Sequence, residues 1–498
     1  MSGLTRRRLL GTGGGAAGLA ALGPFAGLAE RAAAAAAEEP PNIVLIVADR
    51  LRADAIKAYD DVYDDRHTET PNIDALADES LRFKYAVPDG MPGIPMRRGL
   101  LTGMRSYPFR DWRATAGVPA IPGWGKIYDF QPLLPELTAA NGVETVYVTD
   151  NPTLAGPRFS FVRRTGALPR SASFSSDERS YLLPLRDAPE RREPTARVLE
   201  AGGELLGQLK GKRPFFLGLD AFNPIDAFEM PRQFVTGSGP VQYDTTEAKQ
   251  RVYLDKMKVA AKDGLVDTVR ARYAAEVRAV DAAFGRFMNQ LDDAGLAENT
   301  VVIFVGDSGI ALGEQGVFGH PTGVWHRRVY QVPLLIRDPR RRWAGDTSEW
   351  FVSTHDIPPT ILSYLGIPAP GKMSGEDLTT LFDDDDLPGR PYFTTAIDSH
   401  IVVGDRDEWL LIGRTDEDRW RLYKNDDTDE PDEIESDTVD SPTILQTLKR
   451  YALTVAGGTL PEFGDDAAIR PPAPRDKDKR VADDGTLDSD EQEANELR

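Results

Sequence analysis

The sequence predicts an α/β protein: a doubly wound, mostly parallel sheet flanked by helices, followed by a small C-terminal antiparallel sheet plus one helix. Three observations lead there. First, "NIVLIVA" (42–48), "VETVYVT" (143–149), "PFFLGLD" (214–220) and "TVVIFVG" (300–306) are unbroken apolar runs, the pattern of strands covered on both faces. Second, helical patterns separate them, at 134–140, 195–209 and 268–296, and such alternation implies crossover connections with a site at the carboxyl ends of the strands. Third, the pattern changes after the acidic run at 383–386: "HIVVGDRDEWLLIGR" and "DRWRLYKN" alternate as half-buried antiparallel strands do, and a helix follows at about 441–455.

The elements in between follow from local chemistry. "STHDIPPTILSYLGI" predicts a helix starting near Asp356, with that side chain capping free amides and proline in the first turn. From 466 onward prolines and charges dominate and no packed core is expected, so 466–498 reads as a disordered acidic tail. The predicted organisation is a leader at 1–38, an α/β domain at 39–385, a small α+β subdomain at 386–465 and that tail, without internal repeats.

With 498 residues and 41% hydrophobic content the chain can bury a large core. Its formal net charge of −20 argues against nucleic acid or an anionic membrane surface as partner, and suits a high-salt medium. Arginine far outnumbers lysine. The absence of cysteine removes disulfides, thiolate metal sites and a cysteine nucleophile together, and five histidines are too few for a histidine-rich metal centre.

The N-terminus reads as an address. Thr5, Arg6, Arg7 and Arg8 precede Leu9, Leu10 and a Gly/Ala stretch, which resembles a twin-arginine export signal. Glycines at 11, 13, 14 and 15 leave that stretch less apolar than a spanning helix needs. The expected mature chain has no transmembrane segment, folds before export and resides outside the cell or at its surface.

Residues 91–103, "MPGIPMRRGLLTG", read as a strand-to-helix turn of the kind that presents a nucleophile, with Gly93 at the presenting position. Around it, "PNIVLIVADRLRADAI", "TPNIDALADES", "IPMRRGLLTGMRSYPFRDW", "FNPIDAFEMPRQF", "RYAAEVRAVDAAFGRF", "VVIFVGDSGIALGEQGVFGH", "VPLLIRDP" and "HDIPPTILSYLGIPAPGKMSGEDL" occur in order between residue 41 and about 380. Together they resemble the signature blocks of the sulfatase branch of the alkaline phosphatase superfamily. The resemblance implies a divalent cation, usually calcium, held by oxygens after the first strand and in a later Asp-His or Asp-Asn block. Here the first position is Asp49 followed by Arg50, where relatives carry a second Asp, Ser or Thr; the later block is Asp307, Ser308 and Gly309. Asp49 and Asp307 are therefore either metal ligands or strand-end carboxylates paired with arginine.

In relatives the nucleophile is a Cys or Ser oxidised to formylglycine, or a Thr, four residues before an Arg that matches Arg97. Gly93 has no side chain, so formylglycine cannot form there, and nothing from Lys84 to Leu101 is Ser, Thr or Cys. By the same resemblance Arg97 would hold developing charge, or else serve as a structural ion pair. A substrate-contacting histidine is replaced by Ile225, Asp150 stands in another substrate-binding block, and His320 matches a histidine at the leaving group. Removing a serine-type nucleophile slows turnover on the order of 10⁶-fold. The first expectation is thus an inactive or impaired sulfatase-family protein, a pseudoenzyme that binds a sulfated or phosphorylated glycan or small ester. The second is an active sulfate or phosphate ester hydrolase using water on a cation at Asp49 and Asp307. The Arg50 guanidinium is expected to lie between Asp49 and Asp307 and supply part of the cation's charge, rather than to face solvent.

Overall fold

Seven consecutive buried residues, Asn42–Ala48, form β1, and the run has no polar alternation because both faces of the strand are covered. A computed structural model describes residues 39–60, 68–109, 123, 127–128, 130–149, 181–182, 194–212, 214–221, 265–314, 318–319, 327–382, 389–397, 400–406, 409–414, 420–424, 433–434 and 441–460. The leader at 1–38, the acidic run at 383–386 and the tail from 466 lie outside them.

Nine further strands complete the main body: β2 (Leu81–Ala86), β3 (Glu144–Thr149), β4 (Tyr181–Leu182), β5 (Phe215–Asp220), β6 (Thr300–Gly306), β7 (Ala311–Leu312), β8 (Phe318–Gly319), β9 (Leu334–Arg337) and β10 (Thr347–Val352). Eight of the ten form one sheet in the order β10-β2-β9-β6-β1-β5-β3-β4, and β7 pairs with β8 alone. Within the large sheet only β9 runs antiparallel to its neighbours. The doubly wound, mostly parallel sheet read from the apolar runs is therefore present. Strands β6, β1 and β5 sit side by side at its centre, so their carboxyl ends open onto one another.

Helices α1 (Pro71–Asp78), α2 (Ile94–Thr102), α3 (Leu134–Ala140), α4 (Pro194–Leu209), α5 (Leu265–Asp293) and α6 (Ile357–Tyr364) flank the sheet. Val198, Leu199 and Leu206 of α4 share one core with Phe284, Phe287 and Leu291 of α5 and with Ile43–Val47. The pattern pointed to a helix reaching residue 296, but α5 stops at Asp293. Gly295 takes φ 66° and the Leu296 N–H turns back to the Leu291 carbonyl at 3.1 Å, a left-handed glycine ending.

At α6 the expected cap takes another form. Asp356 precedes the helix and proline fills its first turn, yet the carboxylate makes no bond to the helix amides. It accepts instead from the N–H of Ser353 (2.7 Å), the N–H of Glu376 (2.8 Å) and both terminal nitrogens of Arg390 (2.6 Å each). A carboxylate so heavily bonded by distant segments works as a three-way tie.

The C-terminal sheet has five strands: β11 (Tyr392–Ile397), β12 (His400–Asp405), β13 (Trp409–Arg414), β14 (Trp420–Lys424) and β15 (Glu433–Ile434), paired antiparallel in chain order. Helix α7 (Ser441–Val455) covers one face, where Ile401, Val403 and Leu411 meet Leu448 and Ala452 and also Tyr107 and Phe109 from the main body. The other face sets Val402, Leu410 and Ile412 against Val87, Met91 and Tyr330. Period-two alternation thus feeds two cores at once. Pairing between the Met91 N–H and the Ala396 carbonyl, and between the Ala396 N–H and the Asp89 carbonyl, ties β11 to the turn that leads into α2.

Candidate functional site

The site is built from three adjacent strand ends and one helix start. Strand β1 delivers Asp49 and Arg50, β5 ends in Asp220, β6 is followed by Asp307 and Ser308, and Gly93 and Arg97 belong to the start of α2. Six of the residues singled out in the sequence are therefore brought together: Asp49, Arg50, Gly93, Arg97, Asp307 and Ser308. Asp150, Ile225 and His320 lie outside the described residues.

Arg97 sits at the centre and is 0% exposed. Its Nε donates to Asp220 at 2.8 Å, its Nη1 to Asp307 at 2.8 Å and to the Gly93 carbonyl at 3.4 Å, and its Nη2 to the Ala221 carbonyl. The second oxygen of Asp220 accepts from the Tyr147 hydroxyl at 2.9 Å. The other Asp307 oxygen takes the backbone N–H of Arg50 (2.7 Å) and the Ser308 hydroxyl (3.0 Å). Asp49 is gripped by Arg50, whose Nε and Nη2 each stand 2.8 Å from one carboxylate oxygen.

This arrangement corrects the expectation for Arg50. Its guanidinium turns inward as anticipated, but it is clasped on Asp49, and Asp307 is met by the Arg50 backbone and by Arg97. Arg50 holds φ 50°, the left-handed region that non-glycine residues seldom occupy, and this aims its N–H at Asp307 while the side chain doubles back. Asp220 and Tyr147 escaped the sequence reading. Asp220 had a signal, a charge closing an apolar strand run; Tyr147, in mid-strand, reads as core.

Electrostatics follow from burial. Burial pushes the Asp49 carboxyl well above the usual range and the nearby Asp307 adds to this, outweighing Arg50 and Arg97. Burial also acts on Asp307, but Arg97 and the Arg50 N–H hold it below the ordinary value. The two neighbouring carboxyls are therefore shifted in opposite directions. Asp220 is raised by burial against the pull of Arg97 and Tyr147.

A second buried network braces the loops that carry these residues. Arg52 pairs with Asp54 (2.5 Å) and Glu314 (3.0 Å), and Arg328 reaches Asp54 at 3.0 Å. The Tyr273 hydroxyl accepts from the Arg52 N–H at 2.8 Å and donates to the Arg50 carbonyl at 2.9 Å. Behind Ser308, a Cβ on Gly309 would run into the Arg328 carbonyl, so the chain can pass there only without a side chain.

Calcium does not fit the residues present. Hard cations need several free oxygens, whereas these carboxylates already accept hydrogen bonds from the chain's own donors. Among the described residues no group of three or more His, Cys, Asp or Glu is arranged to hold a metal ion.

The mostly parallel sheet flanked by helices, with the small C-terminal antiparallel sheet, matches the alkaline phosphatase-like fold of sulfatases. The chain belongs to the Sulfatase family, whose model matches residues 41–367; the family's reaction is the hydrolysis of sulfate esters. An ulvan-active sulfatase of Formosa agariphila is 29% identical over 364 residues, covering 70% of this chain and 66% of that protein. Iduronate 2-sulfatase of Homo sapiens is 26% identical over 344 residues, covering 60% of each chain. The chain thus spans less than two thirds of these relatives' own lengths. Phosphonate monoester hydrolase of Agrobacterium radiobacter superposes with TM-score 0.62 at 21% identity, covering 84% of this chain and 95% of that one. A structure in complex with its substrate D-glucosamine-2-N,6-O-disulfate gives 0.62 at 18% identity, covering 87% and 100%.

Proposed function

We propose that the protein is an exported sulfatase-family member that binds a sulfated or phosphorylated saccharide, or a small ester of that kind, without hydrolysing it by the covalent route. One observation carries this reading: the residue at the helix start is Gly93, with φ 65° and ψ −101°. Glycine carries no hydroxyl or thiol, so the side-chain nucleophile of the covalent route is missing at this turn. The engagement of Asp49 by Arg50 argues in the same direction against water activated on a cation. The ligand class is supported by the relatives, which include an ulvan-active sulfatase and a glucosamine disulfate complex.

The test pairs turnover with binding. Purified protein should release no product from aryl sulfates, phosphate monoesters or phosphonates above a buffer blank, with calcium or magnesium present, while calorimetry with sulfated oligosaccharides should give saturable heats. Saturable turnover that is lost on Asp307→Ala would overturn the reading.

A further inference from the structure

We infer that the cavity between the end of β10 and the start of β11 is a binding site for a sugar acid, whose carboxylate seats on the free edge of Arg105. The cavity has a volume of about 250 Å³ and is walled from both sheets, by Phe351 of β10 and by Phe393 and Thr394 of β11. Larger ligand sites enclose ~300–1,000 Å³, so the occupant is one ring and not a chain. Arg105 lines this space with its bonding unfinished. Its Nη1 donates to Asp89 at 2.6 Å and to the Thr394 hydroxyl at 2.9 Å. Its Nε and Nη2 meet no acceptor among the described residues, and the side chain is 23% exposed. That edge has a settled use in this protein: Nε and Nη2 of Arg50 clasp Asp49, and those of Arg52 clasp Asp54. Two parallel N–H groups match the two oxygens of a planar carboxylate.

The rest of the lining suits the remainder of such a ligand. The Ser374 hydroxyl accepts from the Arg105 backbone N–H at 2.9 Å and the Thr394 hydroxyl from Nη1, which leaves both hydroxyl hydrogens to donate to ligand oxygens. Phe351 and Phe393 stand edge to face with centroids 5.5 Å apart and offer an apolar wall to the C–H face of a ring. Glu376 is the one acidic side chain of the lining among the described residues, and Arg390 holds it at 3.3 Å. Asp89 and Asp356 lie outside the lining and are already bonded by Arg105 and Arg390, so a ligand carboxylate meets donors there. The inference does not rest on the reading of the Gly93 centre, because none of these groups belongs to it.

Calorimetric titration of the full chain with glucuronate, glucose and inorganic sulfate tests it. Glucuronate should bind saturably and raise the melting midpoint, while glucose, which lacks the carboxylate, and sulfate, which lacks the ring, should give no saturable heat. No saturable heat with glucuronate, or equal binding of glucose or sulfate, overturns the inference. Arg105→Met should weaken glucuronate by about 10–100-fold, as loss of a charge-assisted pair does. Arg105→Lys keeps a cation beside Asp89 but loses the planar edge, and should weaken it by about tenfold. Wild-type affinity in either variant overturns the site, and should Arg105→Met not fold, Arg105→Lys decides. A sulfated oligosaccharide free of uronate, added at saturation, should leave the glucuronate isotherm in place; displacement would put both ligands in one site and end the inference. If that oligosaccharide gives no heat of its own, the proposed function fails while the glucuronate titration still stands.

Discussion

At Gly93 the backbone holds a positive φ, so a side chain put back there meets strain. Gly93→Ser would place a Cβ at φ 65° and ψ −101°, a conformation that costs of order 1–3 kcal/mol for a non-glycine residue. The expected outcome is a lower melting midpoint and no recovery of sulfatase turnover, measured on the same preparation; turnover restored by this change alone would show a site otherwise intact. His355 raises a different point. It is fully buried, lies 3.7 Å from Asp356, and also feels Arg105, Asp89 and Arg390; burial outweighs the acidic neighbours and pushes its pKa down to about 4. A base whose folded pKa is depressed binds protons more readily when unfolded, so its contribution is whole above pH ~6.5 and is lost as pH falls towards 4. Urea unfolding between those limits should lose up to about 3 kcal/mol from this group, and His355→Leu should flatten that part of the profile. Equal slopes for variant and wild type would rule out His355 as the source.

Elements were legible in proportion to how much their pattern depended on burial alone. β1 and β6 fell where their apolar runs begin and end, because a strand covered on both faces has a sequence with no competing reading. β2 was harder: Arg82 and Lys84 alternate with Leu81 and Phe83, and Lys84 reaches across to Glu349 on β10. Its neighbour strand is distant in sequence, so nothing local marks it. The helix at 357–364 was placed by its prolines, but the role of Asp356 was not, since its partners Glu376 and Arg390 lie well beyond any cap motif. The site shows the same division. Asp49, Arg97 and Asp307 could be found from motif order, while the Arg97–Asp220 pairing depends on two strands meeting in the sheet. The tie at Asp356 yields its own prediction: Asp356→Ala leaves Arg390 half-buried without its main partner and should cost about 3–5 kcal/mol, as loss of one member of a buried pair does. Chemical denaturation would check this, and a loss under 1 kcal/mol would reduce the tie to a solvated contact.

At the scale of the whole molecule, the C-terminal sheet is part of the same body as the α/β sheet. Val87, Met91, Tyr107, Phe109 and Tyr330 of the main body are buried against strands β11–β14 and α7. A chain ending at residue 385 should therefore expose these side chains, bind a hydrophobic dye and aggregate, measured by dye fluorescence and size exclusion; a soluble, cooperatively melting fragment would show the α/β layer to be self-sufficient. The formal charge of −20 acts over the same scale, and screening its self-repulsion should make the full chain more stable as salt rises.

The burial of Tyr107 and Phe109 beneath Leu448 and Ala452 also sets a timetable. A ribosome adding ~5–20 residues per second makes the lid tens of seconds after the segment it must cover. Throughout that interval the turn entering α2 lacks its pairing with Ala396, so the helix start that carries Gly93 and Arg97 cannot be locked while the polypeptide is still emerging.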